Sequence, residues 1–281
     1  MIKNQIKTVM FLGILTAILL WIGSFFGQGG LLIGLIFALV INVGSYWFSD
    51  KIVLKMYKAK PASKEQHADL YVMVKELTKK AGLPMPKLYI VPSQNPNAFA
   101  TGRNPKHAAV ACTQGILNLL SKDQLRGVLA HEISHVKNRD ILITTIAAVV
   151  AGIISYAAMM ARWAAIFGGM GRGRNSGSMF EMLALAILAP IIALIIRLAI
   201  SRSREYMADE TGAKLIGDGE PLATALESLH SNVGQNPMRL GSKTTSSLFI
   251  VNPFSAKGVM GLFSTHPPMS ERTKRLRNMK F

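Results

Sequence analysis

His131, Glu132 and His135 are the residues of this sequence whose types and spacing could do chemistry. They lie in residues 121–140, SKDQLRGVLAHEISHVKNRD, as the pattern His-Glu-x-x-His. On a helix, side chains four apart stand one above the other. Two imidazoles so placed can reach one metal ion, at nitrogen-to-zinc distances of roughly 2.0–2.1 Å. Glu132 projects about 100° away, off the metal but beside it, where a general base for an activated water must sit. A second stretch, residues 201–209 (SRSREYMAD), puts Glu205 and Asp209 four apart on one helix face. A zinc protease with two histidines needs a third protein ligand and an open position. Glu205 is the natural candidate for that ligand. Asp209, one turn on, is placed to accept the outward ring N–H of a ligand histidine and so fix its tautomer. The same pair also fits a solvated helix end among arginines. Near the C-terminus, His266 and Arg272 lie six residues apart in STHPPMSER. His266 is a candidate donor to the oxyanion of a tetrahedral intermediate, with Arg272 in support. A turn histidine and one arginine of a basic face are the plainer readings.

The elements that must position these groups are legible around them. Ser121, followed three residues later by Gln124, reads as a capping box opening the His-Glu-x-x-His helix. Leu125, Val128, Leu129, Ile133 and Val136 recur at helical spacing, which predicts one buried stripe with the histidines on its edge. Upstream, residues 63–81 read as an amphipathic helix stopped by Gly82 and Pro84. Short strands follow at 87–91, 97–101 and 108–113, separated by turn residues. Three strands between two helices predict a small α+β layer leading into the site, in a chain that is otherwise mainly helical. Downstream, 221–232 reads as a shorter helix, 234–247 as a Gly, Ser, Asn and Pro-rich loop, and 269–280 as a basic helix.

Composition sets this layer beside a membrane. Of the 281 residues half are hydrophobic and only 17% charged, which is apolar for a soluble protein. Uncharged runs at 8–27 and 31–48 are joined by an uncharged connection, and Lys51, Lys55, Lys58 and Lys60 follow the second. By the positive-inside rule this predicts a transmembrane hairpin with both ends in the cytoplasm. Two further apolar runs, 141–161 and 179–196, flank a loop containing Arg172 and Arg174. They either cross as a pair or lie in the interface. Both cases leave His135 and Glu205 on one side, with the metal roughly 8–9 Å from the membrane boundary at 1.5 Å per helical residue. The chain therefore divides into a hairpin (1–50), a first cytosolic half (51–140), a second apolar pair (141–200) and a second cytosolic half (201–281). The net charge of +17 matches anionic headgroups. Nucleic acid is not expected, since no zinc knuckle, RNA-binding signature or aromatic-interleaved basic run occurs. The single cysteine, Cys112, excludes an intramolecular disulfide and reads as a small buried strand residue.

HEISH, SRSREYMAD and STHPPMSER, in this order between paired apolar runs, resemble the HtpX family over essentially the whole chain. These are bacterial heat-shock-associated membrane zinc metallopeptidases, kin to the prenyl-protein endopeptidases of eukaryotes. The resemblance implies an integral membrane protein with a zincin-like cytosolic catalytic domain. It implies one Zn2+ per chain held by His131, His135 and Glu205, with Glu132 as catalytic base and acid. It further implies Asp209 behind a ligand, and His266 and Arg272 stabilising the transition state. NAFATGR, residues 97–103, resembles the family segment along the cleft; Asn97, Ala98, Phe99 and Arg103 would bind an extended substrate by strand addition. The implied role is turnover of damaged or misfolded membrane proteins at the bacterial cytoplasmic membrane under stress, with cleavage in cytoplasmic regions. A membrane-anchored scaffold with a structural zinc is the alternative, and would call for a closed set of four ligands.

Overall fold

A computed structural model describes residues 2–24, 27–150, 202–232, 235, 237, 238, 240, 243–251, 253 and 267–281. The expected apolar run at 179–196, residues 151–161 of the other run, and His266 lie outside the described residues. Two long helices open the chain, α1 (Ile2–Ser24) and α2 (Gly27–Met56). They pack against each other through small residues. A Cβ on Gly23 would lie 2.4 Å from Gly30 O, and one on Gly34 would lie 2.7 Å from Leu19 O. Such close backbone approach is how apolar helices associate where burial from water supplies no drive. Among the described residues α2 is the one helix shown to be long and apolar enough to cross a membrane. Its exposed face carries Leu32, Ile33, Phe37, Leu39 and Val40.

Beyond the helix pair comes β1 (Lys60–Pro61), a two-residue strand that the sequence does not announce because Pro61 sits in it. Helix α3 (Ala68–Ala81) starts five residues later than periodicity predicts, His67 standing at its N-cap. It ends on Gly82 at φ 69°, where Leu83 N–H closes on Thr78 O at 2.9 Å. Then come β2 (Lys87–Val91), β3 (Ala98–Gly102) and β4 (Ala108–Thr113), in the sheet order β1-β2-β4-β3. β2 pairs parallel with β4, and β3 folds back antiparallel on β4 with Ala98 opposite Cys112. The sheet is therefore mixed, with β3 at its edge. Cys112 is buried in β4, and burial pushes its thiol up to about 12, so it acts as core.

α4 (Gln114–Leu119) leads to α5 (Lys122–Lys137), which opens on the expected capping box. Gln124 N–H donates to Ser121 Oγ at 3.3 Å and Ser121 N–H to Gln124 Oε1 at 3.1 Å. Leu125, Val128, Leu129, Ile133 and Val136 enter one core with α3, the sheet and the later helices. α6 (Ile141–Val150, as far as described) packs Ile146, Ala147 and Val150 against Leu15 of the hairpin. Beyond the undescribed stretch lie α7 (Arg202–Ile216), α8 (Glu220–Asn232), a 3-10 turn (Lys243–Leu248) and α9 (Met269–Arg277). α5 is the hub. α7 and α8 pack on one side, α3 and the edge strand β3 on others.

Candidate metal centre

Two helices bring three ligands together. His131 and His135 of α5 point their Nε2 atoms at each other, 3.1 Å apart. Glu205, in the first turn of α7, sets its Oε2 3.9 Å from His131 Nε2 and its Oε1 3.7 Å from His135 Nε2. Four-coordinate zinc with bonds of roughly 2.0–2.1 Å sets its ligand atoms roughly 3.3 Å apart. The three observed separations bracket that value. The three residues form one group able to hold a metal ion.

The surroundings of the rings fix which nitrogen faces the centre. His135 Nδ1 lies 3.1 Å from Asp140 Oδ2, and His131 Nδ1 lies 2.9 Å from Asp209 Oδ1, off the line of its ring N–H. Carboxylates behind both rings keep the protons on Nδ1. Both Nε2 lone pairs then face one small space with Glu205 between them. Buried and without a cation, that arrangement is repulsive; with a divalent ion it is a ligand set of two imidazoles and a carboxylate, which suits zinc. The charges around His135 point the same way, while burial pushes the His131 imidazole down and favours its neutral, ligating form. Burial disfavours the charged form of His135, yet Asp140, Glu205 and Glu132 push it up to about 10. That is a pocket built to hold positive charge.

Glu132 is buried beside the centre, where Ala100 of the edge strand β3 lines the same space. Burial pushes its carboxyl up to about 7, against the pull of His135 and with help from Glu205. A carboxylate poised near neutrality suits a base that must also return its proton. Behind Glu205 and Asp209 stands Arg272, fully buried. Its Nε donates to Asp209 Oδ2 at 2.8 Å and its Nη2 to Asp209 Oδ1 at 2.7 Å, a bidentate pair. Nη1 lies 3.7 Å from Glu205 Oε2 and donates to Ile250 O at 3.4 Å. Arg272 thus touches a ligand and the carboxylate behind another ligand.

The expected cleft segment divides. Asn97 O accepts from Thr113 N–H at 2.9 Å, so alternation turns residues 97, 99 and 101 towards β4 and 98, 100 and 102 outwards. Ala98 O already accepts Ile250 N–H at 3.4 Å, and Asn97 Nδ2 donates to Val251 O at 2.6 Å. Phe99 is buried in an aromatic cluster with Tyr57 and Phe249. Ala100 faces Glu132, while Arg103 lies elsewhere, its guanidinium 4.4 Å from the centre of the Trp47 ring. Leu248, Phe249 and Ile250 complete the wall of the cleft, leaving about 20 Å³ beside the triad. That is room for about one water molecule, so an extended peptide has to displace this wall.

Sequence reasoning did not single out Asp140 or Arg204. Asp140 follows Arg139, whose φ of 56° turns the chain at the end of α5 and sends the carboxylate back to His135. The signal was a buried-type position, five residues past His135, occupied by an acid at the mouth of an apolar run. Arg204 is buried in the field of Asp140 and Glu205; its place is set by α7, whose entry no spacing rule supplies.

A model of peptidase family M48 matches residues 64–280. A protease HtpX homolog of Syntrophobacter fumaroxidans is 52% identical, covering 98% of this chain and 99% of its own length. Another, from Thermococcus kodakarensis, is 48% identical over 98% of this chain and 95% of its own. The crystal structure of S. mikatae Ste24p is similar in fold, with TM-score 0.52 and 19% identity, over 98% of this chain and 66% of that one. The matched family segment begins just after β1 and runs through β2–β4, α5, α7 and α9. Every residue that builds the triad falls inside it, and this chain belongs to peptidase family M48, as a zinc metallopeptidase.

Proposed function

We propose that the chain is a membrane-bound zinc metalloendopeptidase that cleaves cytoplasmic regions of damaged or misfolded membrane proteins. The observation that carries the reading is two imidazole nitrogens and a carboxylate converging within metal-ligand reach, with a buried glutamate beside them. His131, His135 and Glu205 would hold one zinc ion, which when bound supplies a Lewis acid that acidifies water and polarises the scissile carbonyl. Glu132 takes the proton of the attacking water and passes it to the leaving amine. Ala100 of the edge strand lines the same space as Glu132, which puts that base beside a strand-bound substrate. Asp140 and Asp209 hold the ligand rings, and Arg272 holds Asp209. His266, just before α9 in sequence, is assigned to the developing oxyanion. The outward groups of Ala100 and Gly102 take the substrate backbone as an added strand once the wall at 248–250 moves.

Three ligands with a spare glutamate support an open catalytic site over a closed structural one. The hairpin and its trailing lysines support a multi-pass protein of the cytoplasmic membrane with the site facing the cytoplasm. The test is cleavage of an unfolded protein in detergent by the wild type and Glu132→Gln, each assayed for bound zinc. Zinc near one per chain in both and cleavage only in the wild type is the expected result. Equal cleavage by the two, or zinc in neither, refutes the assignment. A membrane-tethered substrate should be cut faster than its soluble form; equal rates would refute the membrane-substrate reading.

A further inference from the structure

A second cavity, of about 450 Å³, opens where the end of α2 meets the sheet. Its lining differs completely from that of the metal centre. Four cations enter it: Lys51 from α2, Lys87 at the start of β2, and Arg103 and Lys106 from the connection between β3 and β4. One carboxylate, Asp50, accompanies them. Among the described residues none of the four cations is in an ion pair. Four cations gathered from three separate elements, facing one acid, leave a positive field that no carboxylate among the described residues neutralises by an ion pair.

The level of the cavity along α2 narrows the ligand. Trp47 and Phe48 form its α2 wall and are 50% and 51% exposed, at the end of the apolar stretch. Lys51 follows one turn later, 5.5 Å from the centre of the Phe48 ring, and Arg103 lies over Trp47. Half-exposed aromatics followed by lysine are what a helix carries where it leaves the hydrocarbon for the headgroups. Leu54 and Met85 add apolar lining beside the cations. A phosphate bearing an apolar tail meets both requirements, and the volume lies within the range of small-ligand sites, roughly 300–1,000 Å³.

We propose that this cavity binds the phosphate headgroup of an anionic phospholipid in the leaflet that the end of α2 enters. Lys87 and Lys106 sit at one end of the paired strands β2 and β4, whose register sets Lys87 opposite Ala109. A lipid held there fastens that end of the sheet, and with it the β3–β4 connection, to the membrane surface. The site does not depend on the metal or on proteolysis.

The test uses the full chain carrying Glu132→Gln, so that cleavage plays no part in the readout. The detergent-solubilised protein is offered phosphatidylglycerol and phosphatidylcholine of matched chains in equal amounts, and bound lipids are counted by native mass spectrometry. Phosphatidylglycerol should be retained in preference. Lys87→Gln with Lys106→Gln should weaken that retention about 25-fold, about fivefold for each cation lost near an anionic surface. Lys79→Gln with Lys80→Gln, an equal charge change on exposed residues of α3, should alter it less than about twofold. All four lysines are exposed, so unchanged melting temperatures check that folding is intact. Equal retention of the two lipids, or equal loss in the two double variants, overturns the proposal. Displacement of the lipid by millimolar inorganic phosphate also overturns it, in favour of a site for a soluble anion.

Discussion

Arg272→Met removes the cation behind the metal centre and leaves Asp209 buried without its bidentate partner. The guanidinium is fully buried and donates to Asp209 at 2.7 and 2.8 Å. Charge-assisted hydrogen bonds contribute roughly 1.5–3 kcal/mol each, and breaking a buried pair from one side costs roughly 3–5 kcal/mol. For a chain of this size each kcal/mol is roughly 2–4 °C, so the zinc-free variant should melt roughly 6–20 °C lower at a fixed scan rate. The pH dependence carries a second signature. Burial opposes ionisation of Asp209, but Arg272 and His131 bring its carboxyl from the ordinary 3.8 down to about 2. A carboxyl depressed on folding stabilises the fold above its unfolded pKa, and that stability is lost as pH falls through the folded value. The pair should thus supply about 2 kcal/mol that fades between about pH 4 and pH 2. Arg272→Met should lack this acid limb, since without the guanidinium, burial no longer leaves the Asp209 carboxyl depressed. The double variant Asp209→Leu with Arg272→Met no longer buries Asp209 as an unpaired charge and should regain most of the melting temperature, though not the zinc affinity, since His131 loses its partner. Melting of Arg272→Met within about 2 °C of the wild type, or of the double variant as low as the single, would refute the charge argument.

Asp140→Asn should weaken zinc roughly 10–100-fold in a chelator competition, because His135 Nδ1 loses its carboxylate; unchanged affinity would remove Asp140 from the site. Zinc at roughly a thousand times its Kd should raise the stability of the stripped wild type by about 4 kcal/mol, read as a rise of roughly 8–16 °C, and Glu205→Ala should abolish most of that rise. In Gly127→Ala the new methyl would stand 2.6 Å from Leu222 N where α5 meets α8. That overpacking should cost roughly 1–3 kcal/mol; a variant that melts with the wild type would show that α8 can yield.

The parts of the site that were legible are those whose geometry lives within one helix. His131, Glu132 and His135 follow from the 3.6-residue period, and Ser121 with Gln124 fixes where that period begins. Glu205 and Asp209 were legible as a pair, but their distance from the histidines depends on how α7 lies on α5, which no local rule gives. Arg272 illustrates the limit. Its spacing puts it on a basic helix, among Arg275 and Arg277 that do face solvent, and only the docking of α9 decides that it alone turns inward. The strands 87–91 and 108–113 were read to the residue, because they are short apolar runs set off by turn residues. β1 was missed, since two residues carry no period and Pro61 argues against a strand. Equally invisible was the parallel pairing of β2 with β4, which alone puts β3 at the edge beside α5.

The distance between α5 and α7 is therefore the quantity on which the centre depends, and small residues set it. A Cβ on Gly212 of α7 would lie 3.0 Å from His131 N and 3.1 Å from Ala130 C, so the α7 backbone already touches α5 at the first ligand. Ala208, one turn before Gly212, and Ala130 are fully buried and add little side-chain thickness. With the two backbones this close, a glutamate in the first turn of α7 spans to both Nε2 atoms, while Asp209, one turn on, falls behind His131 instead of in front of it. A larger residue at 212 would move α7 outward and lengthen both carboxylate contacts together, the ligand and its neighbour's support. Arg272 acts from the far side in the same sense, since one guanidinium touching Glu205 and Asp209 fixes the two acids relative to each other. The metal geometry is thus held by two independent constraints, backbone contact in front and a buried cation behind. Neither can be read from the His-Glu-x-x-His pattern that first points to the site.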